Sequence, residues 1–123
     1  MRAMLPRLFF EHFRDTSFVA EDDGELVGFL CGFLSQTHPD QAYVHFVGVR
    51  PDRRGSGLGR ELYERFFAAA RAADRSIVRC VTGPVNRASI AFHRGLGFEV
   101  EAEVADYDGA GAARVLLRKR LDT

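Results

Sequence analysis

The stretch from Arg50 to Leu62, RPDRRGSGLGREL, sets Gly55, Gly57 and Gly59 at alternate positions among four arginines, just ahead of an apolar-periodic segment. A helix start leaves about four backbone N–H groups unpaired and carries partial positive charge. Alternating glycines let such amides converge on one anion with no side chain in the way. Arg50, Arg53, Arg54 and Arg60 add formal charge, opposed by Asp52 and Glu61. That chemistry is phosphate binding, a pyrophosphate foremost; the plainer alternative is a glycine-rich turn with solvated arginines. A Walker loop needs Gly-Lys-Ser/Thr, and Lys119 is the only lysine of the chain. A dinucleotide fingerprint needs a glycine where Arg60 stands.

Two histidines also occupy positions with chemical meaning. Asn86, Ser89, Ile90 and His93 fall at i, i+3, i+4 and i+7, one stripe of a helix. His45 lies in an apolar strand-like run, YVHFVGV, four residues before Val49. His12 and His38 offer no such context. Cys31 and Cys80 sit in FLCGF and VRCVT and read as buried strand thiols, not as a disulfide or a nucleophile.

The elements that must position these residues follow from periodicity. Leu5, Leu8, Phe9, His12 and Phe13 mark a short helix. The β-rich runs either side of Asp23-Gly24 read as a hairpin. Thr37 to Gln41 is a loop, and Tyr43 to Val49 a strand without clean alternation, as expected when both faces are covered. Leu58, Leu62, Phe66, Ala69, Ala70 and Ala73 line one face of a helix. Ser76 to Thr82 is a strand; Asn86 caps a helix running to Gly95; two strands follow around the turn at Asp108 to Gly111. The order is helix, hairpin, strand, helix, strand, helix, two strands. It predicts a single α/β (α+β) domain with a mixed, mostly antiparallel twisted sheet flanked by helices. A central β-α-β unit supplies its parallel pair. Function in such sheets lies at the carboxyl ends of strands, and Val49 is such an end.

Bulk properties narrow the class. The 123 residues, 46% hydrophobic and 28% charged, suit one soluble domain with a real core. Seventeen basic and seventeen acidic side chains cancel, so no global field draws nucleic acid or an anionic membrane. No apolar run approaches the ~18 residues of a membrane span and the start lacks a signal pattern, so the expected compartment is the cytoplasm.

Arg54, Gly57 and Gly59 fit the pattern Arg-x-x-Gly-x-Gly, and the strand before them ends Val49-Arg50-Pro51. Here the sequence resembles the GNAT superfamily of acyl-CoA-dependent N-acyltransferases, whose pyrophosphate loop has this form. A second stretch, NRASIAFHRGLGF from Asn86 to Phe98, is similar to the family's Asn-rich helix ending in Gly-Phe. The resemblance runs from roughly Ser17 to Leu121 within a single domain, 1–123, and implies that the family's first strand and helix are missing.

The resemblance further implies an enzyme of the N-acetyltransferase type. Acetyl-CoA is its co-substrate, and acetyl passes directly to a primary amine of a small molecule or protein. Acetyl-CoA would lie between the strands at Tyr43–Val49 and Ser76–Thr82. Its pantetheine arm would pair with the main chain of Val47, Gly48 and Val49, and its pyrophosphate would meet the loop of Arg54, Gly55, Ser56, Gly57, Leu58, Gly59 and Arg60. Asn86 would bond the co-substrate's amides, cap the helix, or do both. No metal is expected.

The attacking amine must lose a proton and the departing thiolate gains from receiving one. His93 stands where many family members carry a tyrosine that protonates the thiolate; the alternative is a positioning or surface role. His45 stands near where several carry a glutamate that activates the amine; the alternative is a strand histidine bonded to a neighbour. Tyr107 would shape the acceptor mouth. An uncovered sheet edge would favour a homodimer. The reading from another functional class is a catalytically idle acyl-CoA-binding sensor or interaction domain.

Overall fold

A computed structural model describes residues 7–121, so Leu5 of the expected first helix lies outside the described residues. The elements are α1 (Arg7–His12), β1 (Phe18–Asp22), β2 (Glu25–Leu34), β3 (Gln41–Val49), α2 (Leu58–Ala72), β4 (Ile77–Thr82), α3 (Arg87–Gly95), β5 (Glu99–Val104) and β6 (Arg114–Arg120). Their order is the expected one. The strands form one sheet, β1-β2-β3-β4-β6-β5. Among the described strands only β3 and β4 pair in parallel; the other pairs are antiparallel. Asp23 and Gly24 turn the first hairpin with φ of 51° and 78°, as a two-residue turn between twisted strands requires.

Helix α2 is the crossover of the β3-α2-β4 unit and buries Leu62, Tyr63, Phe66, Phe67 and Ala70. Each large apolar side chain so covered contributes about 1.5–3 kcal/mol. The sequence stripe contained Leu62, Phe66 and Ala70 but omitted Tyr63 and Phe67, and Ala73 lies just past the helix end. The helix rests directly on β2 because glycine makes room: a Cβ at Gly32 would stand 2.4 Å from the Phe66 ring and 2.9 Å from the Tyr43 carbonyl oxygen. The core here joins Leu30, Ala42, Val44, Phe66, Val78 and Leu117.

On the opposite face α1 lays Phe9 and Phe13 over Phe33, and Phe33 stacks on Tyr43 at 5.3 Å between ring centres. Two irregularities then shape the middle of the sheet. Cys31 pairs with Phe46 but Gly32 with Val44, so His45 is an extra residue in a bulge of β3. The parallel ladder joins Gln41, Ala42 and Tyr43 to Ile77, Val78 and Arg79 and then stops, although β3 continues to Val49 and β4 to Thr82. Beyond Tyr43 and Arg79 the two strands are no longer bonded to each other. On its other side β3 stays paired to β2, Val47 with Leu30 and Gly48 with Phe29.

Candidate functional site: a strand gap and an amide cradle

At the open end of that gap, β3 runs through a 3₁₀ turn (Pro51–Arg53) into the glycine loop and α2. Gly55 and Gly57 take φ of 81° and 89°, and a Cβ at either would meet no atom of the chain within 4 Å. The first helical bond runs from the Glu61 N–H to the Gly57 carbonyl at 3.0 Å. Ahead of it, the N–H groups of Gly55, Gly57, Leu58, Gly59 and Arg60 have no acceptor among the described residues. They form a donor-only concavity at a helix start, the arrangement that suits an anionic oxygen cluster. The chain's residues therefore fit a pyrophosphate. Gly59 answers a different need: a Cβ there would stand 2.9 Å from the Phe92 ring, so the third glycine lets α2 and α3 approach.

The four arginines divide by partner. Arg50 spends its guanidinium on Asp52, at 2.7 and 3.0 Å, and on Glu25 at 3.0 Å. These bonds hold the Asp52 carboxyl below its ordinary range. Arg53 pairs with Asp22. Arg60 donates from Nη2 to the Gly95 carbonyl at 3.0 Å and ties the start of α2 to the end of α3. Arg54 is exposed and pairs with no described residue. The charge free to meet a ligand at the loop thus narrows from four arginines to Arg54, because short-range acids and a helix C-terminus hold the others.

Asn86 caps α3, its Oδ1 accepting from the Ser89 N–H at 3.1 Å. His93 is 5% exposed and both its ring nitrogens are engaged. Nδ1 donates to the Ser89 carbonyl at 2.7 Å, which leaves Nε2 to accept from the Tyr63 hydroxyl at 2.7 Å. The Cys80 thiol lies beside the same hydroxyl. Phe98 and Phe92 close round the imidazole edge-on. Burial lowers the His93 pKa, with the Ser89 carbonyl acting the other way. Burial also pushes the Cys80 thiol up to about 12 and raises Tyr63 well above its ordinary value. All three are neutral near pH 7, gathered where α2, β4 and α3 meet.

His45 is exposed on the α1 face of the bulge, stacked on Phe9 at 5.0 Å and 9°, with no hydrogen bond from either nitrogen to a described residue. Close to it, at the last rung of the parallel ladder, a cavity of ≈ 280 Å³ opens on the same face; Phe33, Gln41, Tyr43, Arg79 and Tyr107 line it. A larger hollow of ≈ 400 Å³ lies elsewhere, between β1 and the start of α2. The structure brings Val47 to Val49, the loop amides, Asn86 and His45 around the gap, and turns the nitrogens of His93 inward. Sequence reading missed Tyr63, Tyr43 and Arg79; a hydroxyl-bearing ring beside Leu62 in an otherwise apolar helix face was the available signal for the first.

A mixed sheet that splits beside a helix start lined with free amides is a fold shared with solved acetyltransferase structures. The family model of the Acetyltransferase (GNAT) family matches residues 2–98, and the chain belongs to that family. Among curated proteins it is 35% identical over 86 residues to the L-2,4-diaminobutyric acid acetyltransferase of Shouchella clausii, 70% of this chain and 48% of that one. The chain spans about half the length of the curated relatives it matches. Naa20 of Chaetomium thermophilum, solved with a bisubstrate analogue, is 28% identical with a TM-score of 0.83, over 94% of this chain and 70% of that one. YncA of Salmonella typhimurium, solved with its cofactor acetyl-CoA, is 25% identical with a TM-score of 0.77, over 95% and 73%.

Proposed function

We propose that the chain transfers an acetyl group from acetyl-CoA to a primary amine. The observation that carries this reading is the set of unpartnered amides of Gly55, Gly57, Leu58, Gly59 and Arg60 beside an unpaired edge of β3. When bound, acetyl-CoA supplies the activated thioester. The loop amides and Arg54 hold the pyrophosphate, and the free main chain of Val47 to Val49 aligns the pantetheine arm. His45, with both nitrogens unspent, takes the proton of the attacking amine, directly or through water. His93 is a strut and not the acid, because its one proton is bonded to Ser89 and its other nitrogen is an acceptor. The thiolate is then protonated from solvent or from the Ser89 hydroxyl, which sits 3.1 Å from Thr82 Oγ1 near the end of β4.

The names of the relatives make 2,4-diaminobutyrate the first acceptor to assay. Calorimetric titration with acetyl-CoA, CoA and ATP tests the cradle, and thiol release across an amine panel tests the transfer. Micromolar binding of both coenzymes but not of ATP, with turnover on an amine, is expected. His45→Gln should lower kcat by ~10²–10⁴, the usual worth of a positioned base. Absence of coenzyme binding would end the reading. Binding without turnover on any amine is the outcome for an idle acyl-CoA sensor, a reading that the inward-turned His93 favours.

A further inference from the structure

The ≈ 280 Å³ cavity on the α1 face is lined by hydrogen-bond donors that the fold does not use. Arg79 donates from Nε to Gln41 Oε1 at 3.0 Å and from Nη1 to Glu101, while Nη2 has no partner among the described residues. Among those residues the hydroxyls of Tyr43 and Tyr107 have none either. Burial, then the neighbouring Tyr107, pushes the Tyr43 pKa up to about 12, so this hydroxyl keeps its proton throughout the neutral range. Phe33, stacked on Tyr43, gives the cavity an apolar wall. The rim is held firmly: Arg75 Nη1 donates to the carbonyls of Ser35, His38 and Gln41 at 2.9, 3.2 and 3.0 Å, fixing the β2–β3 connection. Ser35 and His38 complete the lining, in which Arg79 is the permanently charged residue and no carboxylate takes part. Its partner Glu101 is shared with Arg118, at 3.8 Å.

Three donors and no free carboxylate make a poor seat for a cation and a good one for a carboxylate. The place is also significant. Tyr43 and Arg79 form the last rung before β3 and β4 separate, and His45 lies two residues on from Tyr43 along the same face. At strand rise this separation is roughly 6–7 Å. An amino acid whose reacting amine lies a few bonds from its carboxylate spans that distance. The cavity volume also sits just under the ~300–1,000 Å³ typical of drug-sized ligands, in the range of a single amino acid.

We infer that this cavity is the acceptor site, and that Arg79, with Tyr43 and Tyr107, selects a small amino acid by its carboxylate and presents its amine toward His45 and the strand gap. The inference rests on the transferase reading but makes a demand of its own: two amines alike except for the carboxylate must be told apart at Arg79. Polyamines and lysine-rich tails, which bring positive charge to the guanidinium, are disfavoured acceptors.

The experiment compares 2,4-diaminobutyrate with 1,3-diaminopropane, the same skeleton without its carboxylate. Calorimetry measures the binding of each to the chain alone and to the chain saturated with CoA, and thiol release measures kcat/KM for each. The wild type should favour diaminobutyrate by at least ~10-fold, the scale of one charge-assisted contact. In Arg79→Gln the two amines should come within about twofold of each other, and Arg79→Lys should restore part of the gap. Because Arg79 also holds Gln41 and Glu101, Tyr107→Phe provides a milder test and should narrow the preference without disturbing the ladder. Equal affinity in the wild type, a preference untouched by Arg79→Gln, or no binding of diaminobutyrate to the CoA complex would each overturn the assignment. If diaminobutyrate binds through Arg79 but CoA does not bind, the transferase reading fails and the carboxylate site stands.

Discussion

Replacing Gly57 by alanine separates backbone strain from ligand exclusion, because the chain contains a matched control. Gly57 has φ of 89° and Gly24, in the first hairpin turn, 78°; a Cβ at either would touch nothing within 4 Å. Both substitutions therefore carry the same local penalty, the cost of an L residue in the left-handed region, about 1–2 kcal/mol. In a chain of 123 residues this lowers Tm by about 4–10 °C in each variant. Their effects on binding should differ completely. The Gly57 methyl enters the concavity beneath the free N–H groups and holds an anionic oxygen away from at least one of them. Charge-assisted bonds contribute about 1.5–3 kcal/mol, so CoA affinity should fall ~10–100-fold in Gly57→Ala and stay at the wild-type value in Gly24→Ala. Thermal unfolding and calorimetric titration of the two proteins give both numbers. Equal losses of stability with equal CoA affinities would refute the cradle, leaving the glycine loop a turn and nothing more.

The arginine partition predicts that Arg54→Ala weakens CoA binding and flattens its dependence on salt, whereas Arg50→Ala changes affinity little, since Asp52 and Glu25 already hold that guanidinium; equal effects would contradict the partition. His93 predicts an acid limb of stability. Its folded pKa is lowered by burial, so below about pH 6.5 the unfolded chain takes up the proton first. Stability is thus fully present above that value and declines as pH falls toward the lowered folded pKa; in His93→Gln this limb should flatten while kcat changes only a few-fold. Tyr63→Phe, which strands the buried Nε2, should cost about 1–3 kcal/mol in denaturant titrations at neutral pH.

Much of the fold is legible in the sequence because the signals are local. Asp23-Gly24 supplies the positive φ of a hairpin, Asn86 caps its own helix, and the stripe through Leu62 and Phe66 needs nothing beyond the 3.6-residue period. The amide cradle is legible for the same reason: glycine spacing, helix start and strand end are contiguous in the chain. What sequence spacing conceals is partnership across the fold. Four arginines clustered in Arg50 to Arg60 read as one positive patch, yet Glu25, Asp22 and the Gly95 carbonyl claim three of them from the β1–β2 hairpin and the end of α3. The bulge at His45 is invisible for the same reason, since it is a mismatch of register between two strands and belongs to neither alone.

The two histidines show how far such partnership decides chemistry. By position alone His93 has the stronger claim to acid catalysis, because the resemblance places it on a tyrosine known for that role. Yet imidazole is shorter than phenol, and Tyr63, entering from α2, occupies the space ahead of it and donates to its Nε2. A tyrosine at 63 and a histidine at 93 together satisfy each other, and either one alone would leave a buried polar atom without a partner. Restoring tyrosine at 93 therefore demands removal of the Tyr63 hydroxyl. The double variant Tyr63→Leu with His93→Tyr should fold as well as the wild type, while His93→Tyr alone, crowded against Tyr63, should lose about 1–3 kcal/mol to overpacking. If the single variant were as stable as the double, the two residues would not form one unit, and His93 would regain its freedom to turn toward the gap.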